Sequence, residues 1–125
     1  MKKIITDRAP GAIGPYSQGM VSGNIVYTSG QIPVDPSTGE IAGDSIEVQA
    51  ERACRNVGAV LEAGGAGFDT VLKTTCFLQN MEDFAAFNAV YARFFVSLPA
   101  RSCVAVKKLP KGVLCEIEAV AEVKE

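Results

Sequence analysis

Histidine and tryptophan are absent from this chain. Without an imidazole there is no ordinary general base near neutral pH, no histidine-based nucleophile triad and no histidine metal site. Proton transfer is left to Glu, Asp, Tyr, Cys, Lys, the backbone or water. The four cysteines, Cys54, Cys76, Cys103 and Cys115, show no CxxC spacing. They read as small apolar side chains of a reducing compartment rather than as a disulfide framework. No uninterrupted apolar run approaches the roughly 18 residues that a membrane span needs. The segment Met1-Lys2-Lys3-Ile4-Ile5-Thr6-Asp7 starts basic but lacks the apolar core of a signal peptide, so a cytoplasmic protein is expected. A basic footprint is missing too. Net charge is -2, and the only lysine concentrations are Lys2-Lys3 and Lys107-Lys108 with Lys111, which disfavours nucleic acid as a partner.

What is present is a chain of 125 residues, 48% apolar and 21% charged. That is one domain's worth of sequence, able to bury about two thirds of its extended surface without a staple. No linker, repeat or low-complexity run divides it, and residues 1–125 are read as a single domain. Tyr16 to Val21 and Asn24 to Ser29 flank Ser22-Gly23 and predict a hairpin. Val34-Asp35-Pro36-Ser37-Thr38-Gly39-Glu40 is a turn-rich excursion. Ile46, Ala50, Ala53, Cys54, Val57, Val60 and Leu61 recur at helical spacing, with Asp44 or Ser45 as the cap and Gly64-Gly65 as the stop. Val71 to Leu78 predicts a strand. Asn80 caps a second helix, with Asp83 near its first amides and a stripe of Phe84, Phe87, Tyr91, Phe94 and Phe95 facing a sheet. Ser102 to Val106 and Val113 to Val123 predict two closing strands around a Lys107–Gly112 turn.

Two helices cover only one face of such a sheet. On the last strand Val113, Cys115, Ile117, Ala119 and Ala121 point one way, and Leu114, Glu116, Glu118, Val120 and Glu122 the other. A partly apolar second face predicts contact with another subunit.

Candidate chemistry centres on Pro99-Ala100-Arg101-Ser102-Cys103-Val104. Arg101 at a strand mouth offers a two-pronged grip for a small carboxylate, with Val104 and Val106 lining the neighbouring sheet; the alternative is a surface ion pair. Ser29, before Gly30 in Thr28-Ser29-Gly30-Gln31, is placed to donate to a bound oxygen or to make a local turn contact. Tyr16, after Gly14-Pro15, reads as a pocket wall with a polar tip. Asn88, between Phe87 and Tyr91, lines a site or marks a helix boundary. Glu116 is a candidate to deprotonate water if apolar surroundings raise its pKa, or else a partner in a salt bridge. Cys103 shares Arg101's strand face, but with no histidine to generate a thiolate it offers backbone groups rather than a nucleophile.

These residues, taken in order, resemble the reactive-intermediate deaminase, or YjgF, family. The resemblance is carried by Ala12-Ile13-Gly14-Pro15-Tyr16-Ser17-Gln18, Thr28-Ser29-Gly30-Gln31-Ile32-Pro33, Lys73-Thr74-Thr75, Asp83-Phe84, Phe87-Asn88, Pro99 to Val104 and Glu116-Ile117-Glu118-Ala119. It implies an α+β, chorismate-mutase-like fold, a six-stranded mixed sheet with two helices on one face. It also implies a homotrimer with sites between subunits and no metal or cofactor. The implied activity is hydrolysis of 2-enamine/2-imino acids, 2-iminopropanoate and 2-iminobutanoate, to 2-oxo acids and ammonia. In the implied site Arg101 holds the substrate carboxylate, Tyr16, Ser29 and Asn88 shape the pocket, backbone near Arg101 and Cys103 orients the ligand, and Glu116 handles water. The alternatives that come with the family are a metabolite-binding regulator or holdase and, less consistent with the charge, an endoribonuclease. The chain departs from its relatives at Val96-Ser97-Leu98, a shorter approach to Pro99 than is usual in the family.

Overall fold

A computed structural model describes all residues 1–125. Six strands form one sheet: β1 (Lys2–Ile4), β2 (Gly19–Ser22), β3 (Ile25–Thr28), β4 (Val71–Leu78), β5 (Ala100–Ala105) and β6 (Cys115–Glu122). Their spatial order is β1-β2-β3-β6-β4-β5, and only the β4–β5 pair is parallel. The sheet is therefore mixed, as expected. Helix α1 (Ile46–Ala63) and helix α2 (Phe84–Phe94) are the two α-helices.

Local chemistry explains most boundaries. Ser45 caps α1 by accepting from the Val48 amide, and Gly64 and Gly65 end it, Gly65 in the left-handed region at φ 87°. The hairpin turn lies one residue later than the sequence predicts. Ser22 pairs with Ile25, so Gly23-Asn24 forms the turn, with Gly23 at φ 60° supplying the backbone that a two-residue loop needs. Asn80 caps a short 3-10 turn (Met81–Asp83) by accepting from Glu82 N–H, and α2 starts only at Phe84. Asp83 makes no capping hydrogen bond. Strand β5 begins at Ala100, two residues earlier than predicted, which puts Arg101 inside the ladder. Strand β1 has only three residues, too few to show alternation in sequence.

Strand β6 is flanked by β3 and β4. Cys115, Ile117, Ala119 and Ala121 are buried against the helices, while Glu116, Glu118, Val120 and Glu122 turn to the other face. Under the helices these residues join Val26, Val57, Val60, Leu61, Leu78, Phe87 and Phe95 in one core. The opposite face has no helix over it, and Tyr27 and Val104 there remain 48% and 45% exposed. No helix is long and apolar enough to cross a membrane.

Irregular segments are held by three buried amides. Gln18 donates to the carbonyls of Thr6, Ala9 and Pro10 and accepts from Thr6 N–H. Gln49 donates to Gly43 C=O and accepts from Leu114 N–H. Asn56, fully buried in α1, donates to Ile32 C=O and Val34 C=O, both at 2.9 Å. The short connection before β5 is held by Ser97 Oγ, which donates to Val71 C=O, and Leu98 turns the chain at φ 52° with its side chain in solvent.

Truncating Asn56 to alanine leaves two inward carbonyls without their donors. We expect a loss of about 2–4 kcal/mol in global stability, read from the midpoint of denaturant unfolding. A change below about 0.5 kcal/mol would mean that the 32–34 segment is held by something else.

Candidate active site

The six residues singled out in the sequence fall into two groups. Arg101, Cys103 and Asn88 form the first, on the helix-covered side of the sheet at its β5 edge. Arg101 is the lateral neighbour of Thr74, and Cys103 that of Cys76. Because Thr74 and Cys76 face the helices, so do Arg101 and Cys103. Val104 projects to the other face, so it does not line the sheet beside the Arg101 head as the sequence reading had it. Arg101 Nη1 donates to Asn88 Oδ1 at 2.8 Å. The guanidinium carbon lies 4.8 Å from the Tyr91 ring centre and 5.5 Å from that of Phe84.

These partners are all neutral. Arg8, Arg55 and Arg93 each meet a glutamate, Glu62 or Glu51, and Arg52 donates to the Asn56 amide within the field of Asp35. Arg101 forms no salt bridge, which removes the surface ion-pair alternative within one chain. Its charge is oriented but uncompensated, the condition for gripping an incoming carboxylate.

Cys103 is half-buried, and burial raises its thiol pKa, against a lesser opposing pull from Arg101. Burial also pushes Cys76 and Cys115 up to about 12. All three thiols stay protonated at neutral pH, which fits the reading of cysteine as a structural residue here.

Tyr16, Ser29 and Glu116 form the second group, on the uncovered face. With Ile13, Gly30 and Lys111 they line a cavity of about 450 Å³. Its wall adjoins a tighter space of about 200 Å³ that reaches inward past Gln18 and Gln31. The Glu116 carboxylate lies directly on Gly30: a Cβ added there would stand 2.0 Å from Oε2, so only glycine permits this approach. Desolvation, followed by the like charge of Glu118, raises the Glu116 pKa above its ordinary value. The salt-bridge alternative is not realised, since Glu116 has no basic partner within the chain.

Ser29 differs from the sequence reading. Its hydroxyl donates to Ser17 C=O at 2.5 Å, and its N–H donates to Gln18 C=O. The contact spans twelve residues and commits the proton, so toward a ligand the oxygen is an acceptor. Tyr16 is half-exposed, its hydroxyl 3.5 Å from Ile13 N.

The two groups do not meet within one chain. Glu116 pairs with Phe77 and Arg101 with Thr74, three residues apart along β4. An odd offset puts their side chains on opposite faces. Their backbones are separated by roughly 10 Å along the strands and about 10 Å across them. Sequence reasoning passed over Ile13, Lys111, Phe84 and Tyr91. The last two were readable, since positions 84, 88 and 91 share one face of a helix.

Returning Glu116 to water should lower its pKa, since burial is the larger cause of its rise. Gly30→Ala is expected to do this by steric expulsion of the carboxylate, and Glu118→Gln to do it more weakly by removing the neighbouring charge. Carboxyl carbon NMR titration reads both; an unchanged or higher value in Gly30→Ala would remove the close contact as the cause.

A family model described as Endoribonuclease L-PSP matches residues 6–123. A Lactococcus lactis protein carrying a regulator's name, AldR, is 56% identical over 125 residues, covering 99% of each chain. A 2-iminobutanoate/2-iminopropanoate deaminase of Salmonella typhimurium is 51% identical over 124 residues, covering 96% of each. Among solved structures, E. coli TdcF with bound serine superposes with a TM-score of 0.94 at 48% identity, over 99% of this chain and 100% of that one. With the family model spanning nearly the whole chain and half of the residues shared with such relatives, this protein belongs to the Endoribonuclease L-PSP family, the YjgF-type family that its motifs resemble.

Proposed function

We propose that this protein hydrolyses 2-imino acids, 2-iminopropanoate and 2-iminobutanoate above all, to 2-oxo acids and ammonia. The observation that carries the reading is the Arg101 guanidinium, held by Asn88, Tyr91 and Phe84 with no carboxylate of its own. One oriented cation fits one small carboxylate better than a polyanion such as RNA, which is bound through many phosphate contacts. Two relatives support the substrate class: one carries the deaminase name, and another binds serine, an α-amino acid with the same carboxylate and adjacent nitrogen.

The chemistry asks little of the protein. The carbon of a protonated imine is already electrophilic. Arg101 fixes the carboxylate, and the Ser29 oxygen accepts from the iminium N–H. Glu116 takes a proton from the attacking water as the C–O bond forms, giving a neutral carbinolamine. The same proton then passes to the amine nitrogen, the C–N bond breaks, and the carbinol proton leaves with ammonia as ammonium. Substrate iminium and water thus balance product ketone and ammonium. Positioning and a carboxylate of raised pKa suffice.

Since Arg101 and Glu116 lie on opposite faces of one sheet, this reading requires a second chain to close the site. The β5 edge that carries Arg101 then abuts the uncovered face that carries Glu116 of a neighbour, and this contact repeats around a homotrimer.

The decisive experiment follows freshly generated 2-iminopropanoate and 2-iminobutanoate with wild type, Arg101→Ala and no protein, with the assembly state checked by light scattering. Wild type accelerates the loss, and Arg101→Ala loses about 2–5 kcal/mol of transition-state binding, close to the uncatalysed rate. The acid limb of kcat/KM, where Glu116 becomes protonated and stops accepting, moves to lower pH in Glu118→Gln. Equal rates with and without wild-type protein would overturn the enzyme reading. Retained 2-oxobutanoate binding in that case would favour the regulator reading suggested by the AldR relative.

A further inference from the structure

Tyr91 is the nearest ring to the Arg101 guanidinium, yet it lies in the core rather than in a cavity. It is fixed on several sides. Its ring stacks on Phe95 at 4.3 Å between centres, 20° from parallel, and packs against Phe87 at 5.9 Å. Phe95 in turn meets Phe68 edge-on at 5.1 Å. The Tyr91 hydroxyl shares a buried hydrogen bond of 2.7 Å with Thr74 Oγ1. Thr74 is the residue beside Arg101 in the parallel β4–β5 register. The same pair of strands therefore locates both the backbone that carries the guanidinium and the ring against which it rests.

We propose that Tyr91 is the positioning residue of the carboxylate site: its ring face holds the Arg101 guanidinium in place before a ligand arrives, and its bond to Thr74 fixes that face relative to strand β5. The inference rests on the proposed function, because it gives Tyr91 a role through the carboxylate that Arg101 holds. An arginine side chain loses much rotamer freedom on binding, and a ring that pre-orders it reduces what the ligand must order. A carboxylate in place of the ring would order the arginine as well, but it would neutralise the charge that the ligand needs. The ring is attracted to the cation and leaves that charge free. Burial raises the phenol pKa, so Tyr91 stays neutral where the substrate carboxylate must bind.

A core aromatic with no such role would disturb the site only by loosening the fold. The test separates the two through coupling. Binding of 2-oxobutanoate is titrated by NMR into wild type, Tyr91→Phe, Tyr91→Leu, Arg101→Ala and the Tyr91→Leu/Arg101→Ala double variant. Tyr91→Leu is expected to weaken binding about tenfold in the wild-type background and hardly at all when Arg101 is already absent. Tyr91→Phe keeps the ring but loses its bond to Thr74, and is expected to weaken binding about threefold, between wild type and Tyr91→Leu. In turnover the Leu variant shows a raised KM at nearly unchanged kcat. The Arg101 Nε–H resonance carries the ring-current displacement in wild type and Tyr91→Phe and loses it in Tyr91→Leu. Equal losses in both backgrounds, or a Phe variant as weak as the Leu variant, would overturn the inference even with the function intact. Absence of any binding to wild type would overturn both.

Discussion

The side-chain alternation of β6 is the constraint from which the rest of the molecule follows. This strand is bonded to β3 on one side and to β4 on the other, so every odd position from Cys115 to Ala121 must fill the space beneath the helices. Those four side chains are of modest size and close the core without strain. The even positions are then committed to the opposite face, and Glu116 is one of them. A slip of one residue would bury the carboxylates and expose the core, which is why the register is so strongly specified.

From that follows the division of the candidate chemistry between two faces. Arg101 is set by the β4–β5 pairing and by α2, the crossover that joins those strands. Glu116 is set by β6 and by the glycine against which it lies. Each half is well defined within one chain, and the two do not meet there. In this fold the same alternation that builds a core under two helices also keeps Glu116 and Arg101 on opposite faces of one sheet.

Much of this was legible in the sequence. The helical spacing from Ile46 to Leu61 and the alternation from Val113 to Ala121 gave the layers and the orientation of Glu116. The helix face of Asn88 was visible too, though Phe84 and Tyr91 on that face were read only as core. Less legible were the features that depend on distant partners. The start of β5 at Ala100 is set by pairing with Lys73 and not by local propensity. Three-residue β1 has no pattern of its own and exists because β2 offers it an edge. The Ser29 proton goes to a carbonyl twelve residues away, a contact that no local turn rule would find. The sequence marks Gly30 as a point of close approach, but what approaches it, Glu116, lies 86 residues further along the chain.

The buried amides of Gln18, Gln49 and Asn56 have a consequence of a different kind. They anchor the N-terminal segment, the 43 and 114 positions and the 32–34 segment, the irregular parts that surround the cavity. Amides carry no charge and do not titrate, whereas the chain's four salt bridges are all exposed. These amide anchors themselves carry no titrating proton, whereas Glu116, with its raised pKa, does. A change of pH therefore reaches that carboxylate directly, while the amide bonds that hold these segments stay as they are.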